Sequence, residues 1–161
     1  MFRDEMKKAA EDFGLTLSES QLTQFTRYYE LLVEWNEKMN LTAITEEHEV
    51  AVKHMVDSLS AYDPALFDGK ISIIDVGTGA GFPGLPLKIF CPQVHLTLMD
   101  SLNKRVNFLQ TVVDELGLED VDCVHARAEE GARMKKYREQ YDLAVSRAVA
   151  RLPILCEYCL P

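Results

Sequence analysis

No apolar run in the sequence approaches the ~20 residues needed to cross a bilayer, so a membrane-spanning role is not expected. The opening residues, Met1-Phe2-Arg3-Asp4-Glu5-Met6-Lys7-Lys8, are charged and lack the apolar stretch of a secretory signal. Both absences lead to the expectation of a soluble, cytoplasmic chain with no membrane partner. Cysteine is scarce. Cys91, Cys123, Cys156 and Cys159 make no disulfide framework and are expected to stay reduced. Cys156 and Cys159 form a C-x-x-C, but no second Cys or His pair stands at ligand spacing, so no metal is expected. Basic residues are also in short supply, with 17 Lys and Arg against 26 Asp and Glu and a formal net charge of −9. Residues 1–70 carry 7 basic and 14 acidic side chains, and residues 71–161 carry 10 and 12. An acidic front half argues against non-specific phosphate binding there, because counterion release needs Lys and Arg. Arg133, Lys135, Lys136 and Arg138 form the one dense basic cluster, which reads first as a solvated face and second as a phosphate contact.

What remains is an ordinary globular composition, 47% apolar and 27% charged over 161 residues, enough for one core. The front third reads as helical. Phe2 to Phe13 is an amphipathic stretch that Gly14 can stop in a left-handed conformation. Ser18 with Gln21 has the spacing of a capping box, and Leu22, Phe25, Tyr29, Leu32 and Trp35 or Met39 then recur along one helix face. Asn40-Leu41-Thr42-Ala43-Ile44 breaks that period. Thr45 is expected to cap a third helix with Val52, Met55 and Leu59 on its inner face.

From Ile71 the texture changes. Ile71–Val76, His95–Asp100, Val121–His125 and Tyr141–Ser146 read as strands, with helices at Leu85–Phe90 and Leu102–Leu116 between them. The second of these helices is expected to start at Ser101 and stop at Gly117, with Val106, Leu109, Val113 and Leu116 inward. Strand–helix–strand alternation implies parallel strands joined by right-handed crossovers. The expected class is α/β, with a helical cap over residues 1–68 and a nucleotide-cofactor domain over residues 69–161.

The most informative stretch is Ile73-Ile74-Asp75-Val76-Gly77-Thr78-Gly79-Ala80-Gly81-Phe82-Pro83-Gly84, a buried strand running into alternating glycines and then a helix. Glycines let the backbone turn tightly and let a ligand approach main-chain atoms. A dinucleotide loop needs G-x-G-x-x-G directly after the strand. Counted from Gly77 the sixth position is Phe82, and counted from Gly79 the turn comes two residues late. An acidic residue followed by G-x-G-x-G, the methyltransferase pattern, fits Asp75, Gly77, Gly79 and Gly81 without adjustment. That pattern suits S-adenosylmethionine, which has no pyrophosphate for a helix terminus to hold. Asp100 ends the second strand, where a carboxylate can bridge two ribose hydroxyls in either cofactor class. A nicotinamide-dependent oxidoreductase and a non-catalytic nucleotide-binding module therefore stand as alternatives at this point, and a small-molecule methyl acceptor as a third.

The whole loop, Asp75 to Pro86, resembles that of the bacterial ribosomal small-subunit methyltransferase G family, also called glucose-inhibited division protein B. Four further segments resemble it: Met39-Asn40-Leu41-Thr42-Ala43-Ile44, Val52-Lys53-His54-Met55-Val56-Asp57-Ser58-Leu59, Asp100-Ser101-Leu102-Asn103-Lys104-Arg105 and Val145-Ser146-Arg147-Ala148. The likeness runs from about Leu31 to the last residue. It implies a Rossmann-like enzyme that uses S-adenosylmethionine to methylate the seven-position nitrogen of a guanine in small-subunit ribosomal RNA. It also implies cofactor positions at Gly77 and Phe82 in the loop, at Ala128 and Glu129 facing the adenine end, and at Arg147 at the mouth of the pocket.

That nitrogen carries an in-plane lone pair, so no proton has to leave before attack and no general base is needed. No catalytic base is assigned. Asn40, His54 and Asp57 are the candidates to shape the guanine pocket. Methyltransferases of this fold have seven strands in the order 3-2-1-4-5-7-6. Four are counted here, so the resemblance implies that the C-terminal strands are missing.

Overall fold

The structure is a computed structural model and describes residues 1–62, 64, 67, 71–126 and 143–145. Helix α1, Phe2–Phe13, ends at Gly14 with φ 96°, as expected. The Gly14 and Leu15 amides return to the Glu11 and Ala10 carbonyls and satisfy the last turn. Helix α2, Glu19–Asn36, opens on the expected reciprocal bonds between Ser18 and Gln21. It stops three residues short of Met39 because the Asn36 carboxamide accepts the amides of Leu41 and Thr42, at 2.7 and 2.9 Å, and turns the chain.

The third helix occupies residues 47–59 and is labelled α3. It begins at Glu47–Glu49, passes through a π-helical segment at Val50–Val56 and closes at Asp57–Leu59. Two expectations fail here. The cap is Glu46, whose carboxylate accepts the His48 and Glu49 amides, not Thr45. Those bonds also hold the Glu46 carboxyl below its ordinary pKa. Val52 is 40% exposed, while Met55 and Leu59 are buried as expected. A π-segment has i to i+5 bonds and a wider turn, so the inward seam steps by four, through Ala51, Met55 and Leu59, and rotates Val52 outward.

Strands β1 (Ser72–Val76), β2 (His95–Asp100), β3 (Val121–His125) and β4 (Leu143–Val145) form one parallel sheet in the order β3-β2-β1-β4. This is the 3-2-1-4 part of the Rossmann-like methyltransferase order. Helix α4, Gly84–Phe90, joins β1 to β2, and helix α5, Asn103–Leu116, joins β2 to β3. Leu102, not Ser101, is the residue before α5. The Asp100 carboxylate accepts its amide at 2.9 Å, two residues on, which turns the chain into the helix without a side-chain cap. Gly117 stops α5 with φ 64°, and all four of its expected inward residues are buried.

One apolar cluster runs through both parts of the chain. It holds Phe2, Met6, Phe25, Leu32, Met55 and Leu59 from the cap together with Ile73, Leu87, Leu98 and Phe108 from the sheet layer. Each such side chain contributes roughly 1.5–3 kcal/mol relative to exposure, so the cap and the sheet layer share one core. The cap also lies close to α4 and α5. Gln21 Nε2 donates to the Ile89 and Phe90 carbonyls, Gln24 Nε2 donates to the Leu116 carbonyl, and the Trp35 and Phe108 rings lie 5.7 Å apart.

Candidate cofactor and base site

The chain leaves β1 next to β4 on one side and β2 on the other, where the strand order reverses. Open α/β sheets bind ligands at such a switch point, outside the carboxyl ends of the strands. Gly77, Gly79 and Gly81 have φ of 66°, 60° and 100°, a region that side chains rarely adopt. The loop folds across the end of β2. The Gly77 and Thr78 amides donate to the Met99 carbonyl at 2.9 and 3.1 Å, and the Gly79 amide donates to Asp100 Oδ2 at 2.9 Å. Within residues 77–84 only Gly77 and Gly79 are not fully buried. A side chain added at Gly79 would meet nothing within 4 Å, so the loop is open to an approaching ligand there.

Asp75 is fully buried beneath the loop. Its Oδ2 accepts the Thr78 hydroxyl at 2.7 Å and the Gly84 amide at 2.9 Å, which ties the loop to the first residue of α4. Asp100 is 2% exposed, and its two oxygens bind the Gly79 and Leu102 amides. Arg105 Nη1 lies 3.6 Å from Oδ1 of Asp100. A carboxylate has about four acceptor positions, so Asp100 retains capacity beyond these bonds.

Phe82 is buried and makes stacked ring contacts with Tyr28, at 5.6 Å, and with His54, at 4.6 Å and 15°. These contacts pack the Phe82 ring between the cap and the glycine loop. His54 sits within the π-segment, with Nε2 2.8 Å from Thr42 Oγ1, and Thr42 Oγ1 in turn accepts the Ile44 amide. Two segments that resemble the family, Met39–Ile44 and Val52–Leu59, thus meet at His54, which joins them to the glycine loop. Asn40 and Asp57 are both exposed, one just before Thr42 and the other three residues past His54. Ala128, Glu129 and Arg147 lie outside the described residues, as do the basic cluster and Cys156 with Cys159.

Sequence reasoning missed Tyr28 and chose Tyr29 for the inner face. Tyr28 is the fully buried one, and its hydroxyl donates to the Ala80 carbonyl. Tyr29 instead stacks on Phe2 at 4.3 Å and donates to the Thr45 carbonyl. The step from Phe25 to Leu32 accommodates either tyrosine, so only the partner carbonyl on the loop distinguishes them. Thr42 was read only as part of a segment. Among the described residues no group of His, Cys, Asp and Glu could hold a metal, and no helix is long and apolar enough to cross a membrane.

A parallel sheet in this order, with a glycine loop at its switch point and a carboxylate ending the next strand, defines a Rossmann-like methyltransferase fold. Family comparison narrows that class. The family model described as rRNA small subunit methyltransferase G matches residues 21–161, and the chain belongs to that family. It is 56% identical over 156 residues to the ribosomal RNA small subunit methyltransferase G of Alkaliphilus metalliredigens, covering 97% of this chain and 65% of that one. Against the Clostridium botulinum protein of the same name, identity is 54% over 160 residues, covering 99% and 67%. Against the Exiguobacterium protein it is 58% over 148 residues, covering 92% and 62%. The chain therefore spans about two thirds of the length of these relatives.

Proposed function

We propose that this chain carries the S-adenosylmethionine site of an enzyme that methylates the seven-position nitrogen of a guanine in small-subunit ribosomal RNA. The observation that carries the reading is the open Gly79, bonded to the Asp100 carboxylate across the ends of β1 and β2, in a chain of this family. Gly77 and Gly79 would admit the cofactor to the main chain, and the remaining acceptor positions of Asp100 would take its ribose hydroxyls. Asp75 shapes the loop from below. Ala128, Glu129 and Arg147 would complete the pocket.

A dinucleotide fits less well, for an electrostatic reason. Its pyrophosphate seeks the first amides of the helix after β1, but the Gly84 amide is already bonded to the buried Asp75 carboxylate. A second anion there would face the first with little water between them.

When bound, S-adenosylmethionine supplies an electrophilic methyl group on a sulfonium. The protein's part is to align the guanine nitrogen with that methyl and to exclude water. His54, set against Phe82 and Thr42, stands on the acceptor side with Asn40 and Asp57 nearby along the chain. None of these has to remove a proton.

Calorimetric titration with S-adenosylhomocysteine and with NAD tests the cofactor, and only the first is expected to bind. Binding of NAD alone would overturn the assignment. Gly77→Val should abolish S-adenosylhomocysteine binding while circular dichroism keeps most of the helical signal, because a β-branched residue at φ 66° displaces the loop. For the acceptor, methyl transfer to small-subunit particles is expected to exceed transfer to free guanosine, since the net charge of −9 gives little general affinity for phosphate. Comparable transfer to guanosine would redirect the reading to a small-molecule acceptor.

A further inference from the structure

We infer that Tyr28, on the helical cap, is a positioning residue that locks the glycine loop in its cofactor-ready form, an inference that rests on the S-adenosylmethionine reading above. Both ends of one peptide unit are anchored. The Tyr28 hydroxyl donates to the Ala80 carbonyl, and the Gly81 amide of the same peptide donates to the Thr78 carbonyl at 3.0 Å. Glycine populates positive and negative φ about equally, so rotation of this peptide is the loop's easiest rearrangement. It cannot occur without breaking both bonds.

The fit between the two residues is close. A side-chain carbon on Gly81 would lie 2.6 Å from the Tyr28 hydroxyl oxygen and 2.5 Å from Leu85 Cδ1. The tyrosine hydroxyl thus occupies the space that glycine leaves open, while its ring stacks on Phe82 next in sequence. Ala80 is buried, so its carbonyl has no ready water to replace the lost donor. A loop with three glycines pays a large ordering cost when a ligand binds, and prior ordering by Tyr28 lowers that cost.

Tyr28→Phe keeps the ring and removes only the donor. Tyr29→Phe is the matched control, because its hydroxyl also donates to a main-chain carbonyl, that of Thr45 at 2.7 Å, away from the loop. Amide hydrogen exchange on the chain without ligand should be about fivefold faster over residues 77–84 in Tyr28→Phe, with α1 and α5 unchanged and Tyr29→Phe like the parent. The dissociation constant for S-adenosylhomocysteine should rise by a similar factor of about five in Tyr28→Phe alone. Unchanged loop exchange in Tyr28→Phe would overturn the inference. So would faster exchange spread evenly over the chain, which marks a general loss of stability. Absence of S-adenosylhomocysteine binding by the parent chain would instead overturn the cofactor reading, and the exchange comparison would still decide whether Tyr28 orders the loop.

Discussion

In the helical cap, side chains donate to main-chain carbonyls far along the sequence: Tyr28 to Ala80, Gln21 to Ile89 and Phe90, Gln24 to Leu116. At the two buried carboxylates of the sheet layer the direction reverses. Asp75 accepts from residues three and nine positions on, and Asp100 accepts from residues two ahead and 21 behind. The loop is therefore braced by two carboxylate acceptors, Asp75 on its own strand and Asp100 at the end of the neighbouring β2. The cap is placed by shared apolar burial and by a few neutral bonds that span 52 to 92 residues. Tyr28 is where the two sets meet, a cap donor acting on the loop that the carboxylates brace.

The strongest way to break that comparison is to remove the brace on the sheet side. Asp75→Ala leaves the Thr78 hydroxyl and the Gly84 amide without their acceptor in a buried site. Hydrogen bonds to charged groups contribute ~1.5–3 kcal/mol each and are not additive, so a loss of about 3 kcal/mol is expected. Asp75→Asn keeps one acceptor oxygen and should cost less. Denaturant unfolding measures both, and equal losses would mean that the charge of Asp75 contributes nothing.

The same contrast explains what was legible in the sequence. Strands β2 and β3, helix α1, the Ser18–Gln21 capping box and the stops at Gly14 and Gly117 all express short-range rules, and each lies where the sequence places it. The order of the glycine loop and Asp100 was legible for the same reason. What failed needed distant partners or an irregular turn. Tyr28 is buried because of a carbonyl 52 residues away, and Val52 is exposed because a π-segment changes the helical period. The contact between Thr42 and His54 depends on α2 ending at Asn36, which residue spacing did not fix. Ala128, Glu129 and Arg147 were named by resemblance alone.

On the cap side, Gln21→Ala removes one half of the capping box and both bonds to the end of α4. Loss of a cap costs about 1 kcal/mol, and two carbonyls left with fewer donors bring the expected loss to about 2 kcal/mol. Hydrogen exchange should show α2 and α4 loosening together. Loosening of α2 alone would confine Gln21 to its capping role and weaken the account of how the cap is placed.

Alkaline pH sharpens the contrast, because all four cysteines lie in residues 71–161. Burial pushes the Cys91 thiol from its ordinary 9.0 up to about 11. Burial pushes Cys123 up to about 12, helped by Asp114 and Asp122. Below pH 9 both thiols are protonated in the folded and unfolded chain alike. Above it the unfolded chain releases protons that the fold retains, so stability falls as pH rises from about 9 towards 11. One unit into that window, at pH 10, Cys91 alone corresponds to a loss of about 1.4 kcal/mol. Melting curves from pH 8 to 10 check this, and Cys91→Ala should flatten the decline. Alkylation of Cys91 at pH 8 should be slow in the folded chain.

The smallest effect is expected at the charged contact that joins cap and α5 among the described residues. Arg27 Nη2 lies 2.8 Å from Glu115 Oε1, and both side chains are about 40% exposed. The hydrogen bond from Arg27 to Glu115 raises the guanidinium pKa, opposed by slight desolvation and aided by the charges of Glu115, Glu30 and Glu34. Water and salt screen such a pair, and ordering two long side chains offsets much of the attraction, so Arg27→Ala should cost only about 0.5 kcal/mol. In 1 M salt the screening length falls to about 3 Å, and the difference between Arg27→Ala and the parent should vanish. The loss in Gln21→Ala, which rests on neutral bonds, should persist in the same salt. If Arg27→Ala instead cost as much as Gln21→Ala at low salt and recovered at high salt, the cap would be placed by charge, and the division between neutral donors on the cap and charged acceptors on the sheet would fail.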